Sequence, residues 1–155
     1  MDLILWRHAE AEIGEISEPD DDRRLTGKGH KQAARMADWL DHVLPNGCKI
    51  LVSPSMRTRQ TAQALDRKFK IHSGLAQDAT TASLLAAANW PDSREPVVLV
   101  GHQPSLGQLA ALLVSGTEQD WTIRKGNVWW IAQRERDDIT TPFLRAVMTP
   151  DLLVK

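Results

Sequence analysis

Leu3-Ile4-Leu5-Trp6-Arg7-His8, close to the start of the chain, is an apolar run that stops at a cation and an imidazole. Apolar residues without alternation fit a strand buried on both faces. Such strands belong to α/β sheets, whose ligands bind in the crevice beyond the carboxyl ends of the strands. Arg7 and His8 stand at that end. Two further stretches have the same form. Ile50-Leu51-Val52 leads into Ser53-Pro54 and then Arg57, and Val97-Val98-Leu99-Val100 leads into Gly101-His102. Three buried strands therefore deliver Arg7, His8, Arg57 and His102 to one edge of a sheet.

The segments between these strands read as helices and loops. Thr26 is an N-cap, Ala33, Ala37, Leu40 and Leu44 follow at helical spacing, and Pro45-Asn46-Gly47 ends the helix. Ser53-Pro54 has the N-cap and Pro-at-N1 form of a second helix start, with Ala62, Leu65 and Phe69 inward. A short strand or turn near Ile71–His72 precedes a helical patch from Ala79 to Asn89, which Trp90-Pro91-Asp92 breaks. Gln103-Pro104 opens another helix, with Leu106, Leu109, Ala110 and Leu113 on one face. Asn127–Gln133 and Phe143–Met148 read as strands, with Arg134–Thr141 as their turn. Glu10 to Arg24 has no period and carries the acidic run Glu18–Asp22, so it reads as a solvated loop. This order predicts an α/β fold, a mixed sheet with helices on both faces, in one domain over residues 1–155.

Composition narrows the function. Apolar content of 42% and charged content of 25% are those of an ordinary globular domain. The net charge of −1 leaves no broad basic field for nucleic acid or an anionic membrane, so an anion site must be a local cluster. The lone Cys48 excludes an intrachain disulfide framework and suits a reducing compartment. No apolar run approaches transmembrane length, and a first strand from Asp2 leaves no room for a signal peptide. The expected address is the cytoplasm.

Gathered around one point, Arg7, His8, Arg57 and His102 suit phosphoryl chemistry. Two guanidiniums present forked donors that match phosphoryl oxygens. The helices that start at Pro54 and at Pro104 turn free N–H groups toward the same crevice. One imidazole can attack phosphorus in line while the other stabilises the transferring oxygens. The arginines disfavour an imidazolium and keep the attacking nitrogen free. No metal or other cofactor is needed. A metal hydrolase built on His8, His102, Glu10, Glu12 and Asp20–Asp22 lacks a close His pair with ligand spacing, and the arginines would repel a cation. A serine hydrolase is poorly matched, because Gln103-Pro104-Ser105-Leu106-Gly107 lacks the first Gly of a nucleophile elbow. His30, His42 and His72 read as surface residues, and Cys48 as a small buried apolar residue. A non-catalytic phosphoprotein-binding module on the same fold stays open as an alternative.

Leu5-Trp6-Arg7-His8-Ala9-Glu10 resembles the Arg-His-Gly signature of the histidine phosphatase superfamily, which also holds the phosphoglycerate mutases. Ser53-Pro54-Ser55-Met56-Arg57-Thr58-Arg59-Gln60-Thr61 resembles its second motif, Ser-Pro-x-x-Arg-x-x-Gln-Thr, and Val100-Gly101-His102 its third. Arg23-Arg24-Leu25-Thr26-Gly27-Lys28-Gly29 is similar to the Arg-Pro-Leu-Thr-x-x-Gly stretch after the first motif. Small size and Pro104-Ser105-Leu106 after the last His point to the SixA-type phosphohistidine phosphatase branch.

The resemblance implies a phosphoglycerate mutase-like fold, a three-layer α/β/α sandwich with a mixed, mostly parallel central sheet. It implies that His8 is the nucleophile, that Arg7 and Arg57 clamp the phosphoryl oxygens and that His102 completes the pocket. Arg23 takes the place of an additional phosphate-pocket arginine, with Arg24 beside it where the family has Pro. Asp78 lies where mutase-type members carry a general acid, with Glu10 and Asp20 as other candidates. Ala9 replaces the Gly of the signature and would cost about 1 kcal/mol if that position required a positive φ. The implied partner is a phosphorylated protein, a histidine-phosphotransfer domain, or else a small phosphate ester. The short chain leaves no room for the insertions that close mutase pockets over sugar phosphates.

Overall fold

The computed structural model describes residues 1–136 and 139–153. Six strands form one sheet and four α-helices cover it. In chain order these are β1 (Asp2–Arg7), α1 (Gly27–Val43), β2 (Lys49–Val52), α2 (Met56–Gln63), β3 (Lys70–Ile71), α3 (Thr81–Ala88), β4 (Val97–Gly101), α4 (Ser105–Ser115), β5 (Val128–Arg136) and β6 (Ile139–Met148). The spatial order is β3-β2-β4-β1-β5-β6. β1 to β4 run parallel, and β5 runs antiparallel to both β1 and β6.

The layers follow from side-chain alternation along the two central strands. In β1, Ile4 and Trp6 face α1 and α2, packing with Met36, Ala37, Leu40, Ala62 and Leu65. Leu3 and Leu5 face the other side, where α3 and α4 supply Leu84, Ala88, Leu106, Leu109 and Ala110. β4 splits the same way, Val98 and Val100 against Val97 and Leu99. Leu3 to Trp6 are fully buried. Each such side chain contributes about 1.5–3 kcal/mol relative to exposure. Both faces of the strand are therefore apolar from Leu3 to Trp6, and polar residues return at Arg7, where it leaves the core.

Several element boundaries differ from the sequence reading. α2 starts at Met56 behind Ser55, whose hydroxyl accepts the Thr58 N–H, and not at Ser53-Pro54. The Ser53 hydroxyl is engaged elsewhere, by His102. α2 also stops at Gln63, so Leu65 and Phe69 reach the core from the following turn. α3 is shorter than the helical patch read from Ala79 to Asn89, because Thr80 caps it and Asn89 takes a left-handed conformation at its end. β5 and β6 continue past the expected turn, with Gln133 opposite Pro142 and Arg134 opposite Thr141. Pro142 lies on an edge strand, where a missing N–H is tolerated. Residues 137–138, within the expected turn, lie outside the described residues. Among the described residues no helix is long and apolar enough to cross a membrane.

Candidate active site

Strand register brings the two catalytic candidates together. Arg7 pairs with Gly101 across the parallel β1–β4 ladder, so His8 and His102 leave adjacent strands side by side. The His8 N–H donates to the Gly101 carbonyl at 3.1 Å, and the two imidazole centroids lie 5.4 Å apart. One strand further, the Ser53 N–H donates to the Val100 carbonyl, and the Ser53 hydroxyl lies 2.7 Å from His102 Nε2. The first turn of α2 then carries Arg57 back over the sheet edge, with Nη2 3.4 Å from His102 Nδ1. Arg57 is 1% exposed.

Hydrogen bonds fix the ring tautomers. His8 Nδ1 lies 2.8 Å from the Ala9 carbonyl, which can only accept, so Nδ1 carries the proton. Nε2 keeps its lone pair, the state a nucleophile needs. A guanidinium can only donate, so His102 Nδ1 accepts from Arg57 and Nε2–H donates to Ser53. Both rings are held neutral. Burial, helped by His102, Arg57 and Arg7, pushes the His8 pKa down to about 3 against the hydrogen bond that His8 donates to the Ala9 carbonyl. Burial and then Arg57 push His102 down to about 4.

These depressed values have two measurable consequences. In a ¹H–¹³C NMR titration, neither ring should change charge between pH 8 and 5. His42, raised by its contact with the Asp38 carbonyl and by the Asp38 charge, should titrate above the ordinary 6.5. Titration of His8 or His102 near 6.5 would contradict the packing. Because the unfolded chain binds more protons than the fold below 6.5, these two groups also make stability fall as pH drops through that window toward 4.

A second set of contacts holds the clamp in place. The Ala9 N–H donates to Thr61 Oγ1 at 3.0 Å, and Thr61 Oγ1 donates to the Arg57 carbonyl at 2.8 Å. Gln60 Oε1 accepts the Leu25 N–H at 2.8 Å. Gln60 and Thr61 thus tie α2 to Ala9 and to Leu25, a role the sequence reading did not assign. Gly29 permits the start of α1 to lie on the Glu10 backbone, since a Cβ there would sit 1.9 Å from the Glu10 carbonyl oxygen. Ala9 is fully buried, and the non-glycine residues with positive φ among those described are Asp66 and Asn89. Ala therefore replaces Gly at position 9 without backbone strain.

Asp20 corrects the expectation of a solvated acidic loop. Its carboxylate accepts from Arg57 Nη2 at 3.0 Å and from Arg23 Nε at 2.9 Å, and its carbonyl accepts from Arg57 Nη1 at 2.9 Å. Partial burial pushes its pKa up, but Arg57 and Arg23 outweigh this and hold it low. An ionised carboxylate spans the two arginines. Of the neighbouring pair, Arg23 is the one in the cluster and Arg24 is exposed. Arg7 Nη1 donates to the Ile123 carbonyl at 2.9 Å. The buried Nε atoms of Arg7 and Arg57 have no partner among the described residues. Asp78 is exposed, and no hydrogen bond or ion pair among the described residues joins it to this group. The Glu10 carboxylate accepts the Thr26 hydroxyl at 2.9 Å. Among the described residues no three His, Cys, Asp or Glu side chains gather in the geometry of a metal site.

The chain is similar to several known proteins. Residues 3–78 match the family model of the histidine phosphatase superfamily (branch 1). An uncharacterized protein of Picosynechococcus is 34% identical over 125 residues, covering 75% of this chain and 74% of that one. Phosphohistidine phosphatase SixA of Escherichia coli is 27% identical over 124 residues, covering 75% of this chain and 76% of that one. Among solved structures, the protein histidine phosphatase SixA complexed with tungstate superposes with a TM-score of 0.78, at 24% identity over 99% of this chain and 100% of that one.

Proposed function

The chain belongs to the histidine phosphatase superfamily, and from that footing we propose that it hydrolyses phosphohistidine on a protein through a covalent intermediate on His8. The observation that carries this reading is the neutral His8 with Nδ1–H bonded to Ala9 and Nε2 free, beside the buried Arg57 guanidinium and the half-buried Arg7. Nε2 attacks phosphorus as the bond from phosphorus to the substrate imidazole breaks. The electron pair stays on that imidazole, which leaves neutral because its other ring nitrogen is already protonated. Water then attacks phospho-His8 and releases inorganic phosphate. Arg7, Arg57 and Arg23 hold the phosphoryl oxygens throughout. His102, neutral while Arg57 faces Nδ1, gains a reason to protonate once a phosphoryl dianion is present.

Substrate class follows from the acid. An alkyl phosphate expels an alkoxide and needs a positioned proton donor. An imidazole leaving group needs far less help. Asp20 is held ionised between arginines and Asp78 is exposed, which favours the phosphoramidate. The test compares a histidine-phosphorylated phosphotransfer domain, p-nitrophenyl phosphate and a phosphoserine peptide at one pH. The phosphohistidine protein should exceed the phosphoserine peptide in kcat/KM by at least about tenfold, or 1.4 kcal/mol in barrier. Activity should persist in excess chelator. A phosphoserine peptide as best substrate would overturn the reading and make Asp78→Asn the next variant to assay.

Asp20 must yield its place on Arg57 and Arg23 when a phosphoryl group binds. Asp20→Asn removes a competing anion, so the inhibition constant of inorganic phosphate or vanadate should fall. A decrease of about fivefold is expected, since the pair is half-exposed on the Asp20 side and worth at most about 1 kcal/mol. An unchanged or higher constant would show that Asp20 does not compete for the site.

A further inference from the structure

Arg7 also lies on the wall of a hollow outside the catalytic group. This open cleft of about 730 Å³ runs between the exposed face of α1 and the segment that leads into β5, with Thr149–Asp151 at its base. One side carries Lys28, Lys31 and Arg35, which recur at helical spacing, and the other carries Arg124 and Lys125. Two carboxylates, Glu10 and Asp151, offset these cations only in part. Glu10 approaches Lys28 at 3.9 Å, while Lys31, Arg35, Arg124 and Lys125 form no ion pair among the described residues. A chain with a net charge of −1 thus concentrates unpaired positive charge beside one of its phosphate-clamp candidates.

The form of the cleft selects its occupant. A small-molecule site offers buried polar groups that fix orientation. Here Lys28, Lys31, Arg35, Arg124 and Lys125 are all exposed, as solvated charges on long stems. Such charges steer and register an oppositely charged surface and act strongly on association. We propose that the cleft is a docking site for the acidic surface of the phosphoprotein substrate, placed so that the substrate's phosphohistidine enters the pocket past Arg7. This rests on the proposed reading of the catalytic site. It adds that recognition is electrostatic and lies on α1 and the segment before β5.

The test uses the full chain with Lys31→Glu/Arg35→Glu and, separately, Arg124→Glu/Lys125→Glu. None of these residues belongs to the catalytic group. The probe is a histidine-phosphorylated phosphotransfer domain with acidic residues around its histidine, with p-nitrophenyl phosphate as the small substrate. Each double variant should raise KM for the phosphoprotein by about tenfold or more while kcat/KM for p-nitrophenyl phosphate stays within about twofold. Added salt from 50 to 300 mM should lower kcat/KM for the phosphoprotein with the wild type and much less with the variants, by screening at about 6–14 Å. Equal effects on both substrates, or none on either, overturn the docking site. Loss of inhibition by inorganic tripolyphosphate with an unchanged phosphoprotein KM overturns it in favour of a small polyanion. If wild type cleaves p-nitrophenyl phosphate but not the phosphoprotein, the phosphohistidine reading fails, and the docking site with it. If the phosphoprotein is cleaved and the variants leave KM unmoved, only the docking site fails.

Discussion

His8→Ala should lower turnover by at least about 10⁴-fold, the scale on which covalent catalysis fails when its nucleophile is removed. The phosphoenzyme should disappear with it. In the wild type, rapid quench with labelled phosphoprotein should trap an acid-labile, alkali-stable phosphate, and peptide mapping should place it on His8. His8→Asn is the better control for folding, because its amide can still donate to the Ala9 carbonyl that now accepts from Nδ1. The Asn variant should be equally inactive and should melt close to wild type. Label recovered on Ser105, Cys48 or an aspartate would sink the mechanism.

Arg57→Ala should cost about 10²- to 10³-fold in rate, about 2.7–4 kcal/mol of transition-state stabilisation, by analogy with loss of one oxyanion donor. Two consequences follow from its surroundings. Arg57→Lys should recover little, because an ammonium reaches Asp20 or His102 as a point charge and cannot fork across two oxygens. The Ala variant should also lose thermal stability, since Arg57 is buried and its removal leaves both a cavity and an Asp20 carboxylate without its main partner. Melting curves separate this from the rate effect. A variant that melts lower yet turns over near wild type would show that Arg57 serves the fold alone.

The sheet was legible where one signal dominated. β1 and β4 could be read from apolar runs without alternation, and their polar ends marked the crevice. Boundaries failed where a side chain had tertiary work. Ser53 looks like a helix cap but serves His102, so the cap passes to Ser55. The last strand was read as starting at Phe143, yet β6 runs through Pro142, which an edge strand tolerates. The role of Asp20 was not legible at all, because its partner Arg57 is 37 residues away and the local sequence is a plain acidic run. Gln60 and Thr61 stood in a quoted motif, but their function as ties is visible only once β1 and α1 are in place.

The position of β1 also sets an order in time. The strand that ends at Arg7, next to His8, is made well before its neighbours in the sheet, β4 and β5, whose residues begin at 97 and 128. It has no earlier partner to pair with. Pairings between such distant segments close slowly, because the loop entropy is spent before the contacts form. A growing chain therefore holds β1 unpaired until β4 and β5 are made, with four apolar residues awaiting cover. During that interval Leu3 to Trp6 are a natural target for a holdase and a hazard for aggregation. Arg7, His8, Arg57 and His102 can come together only after β4 and His102 are made.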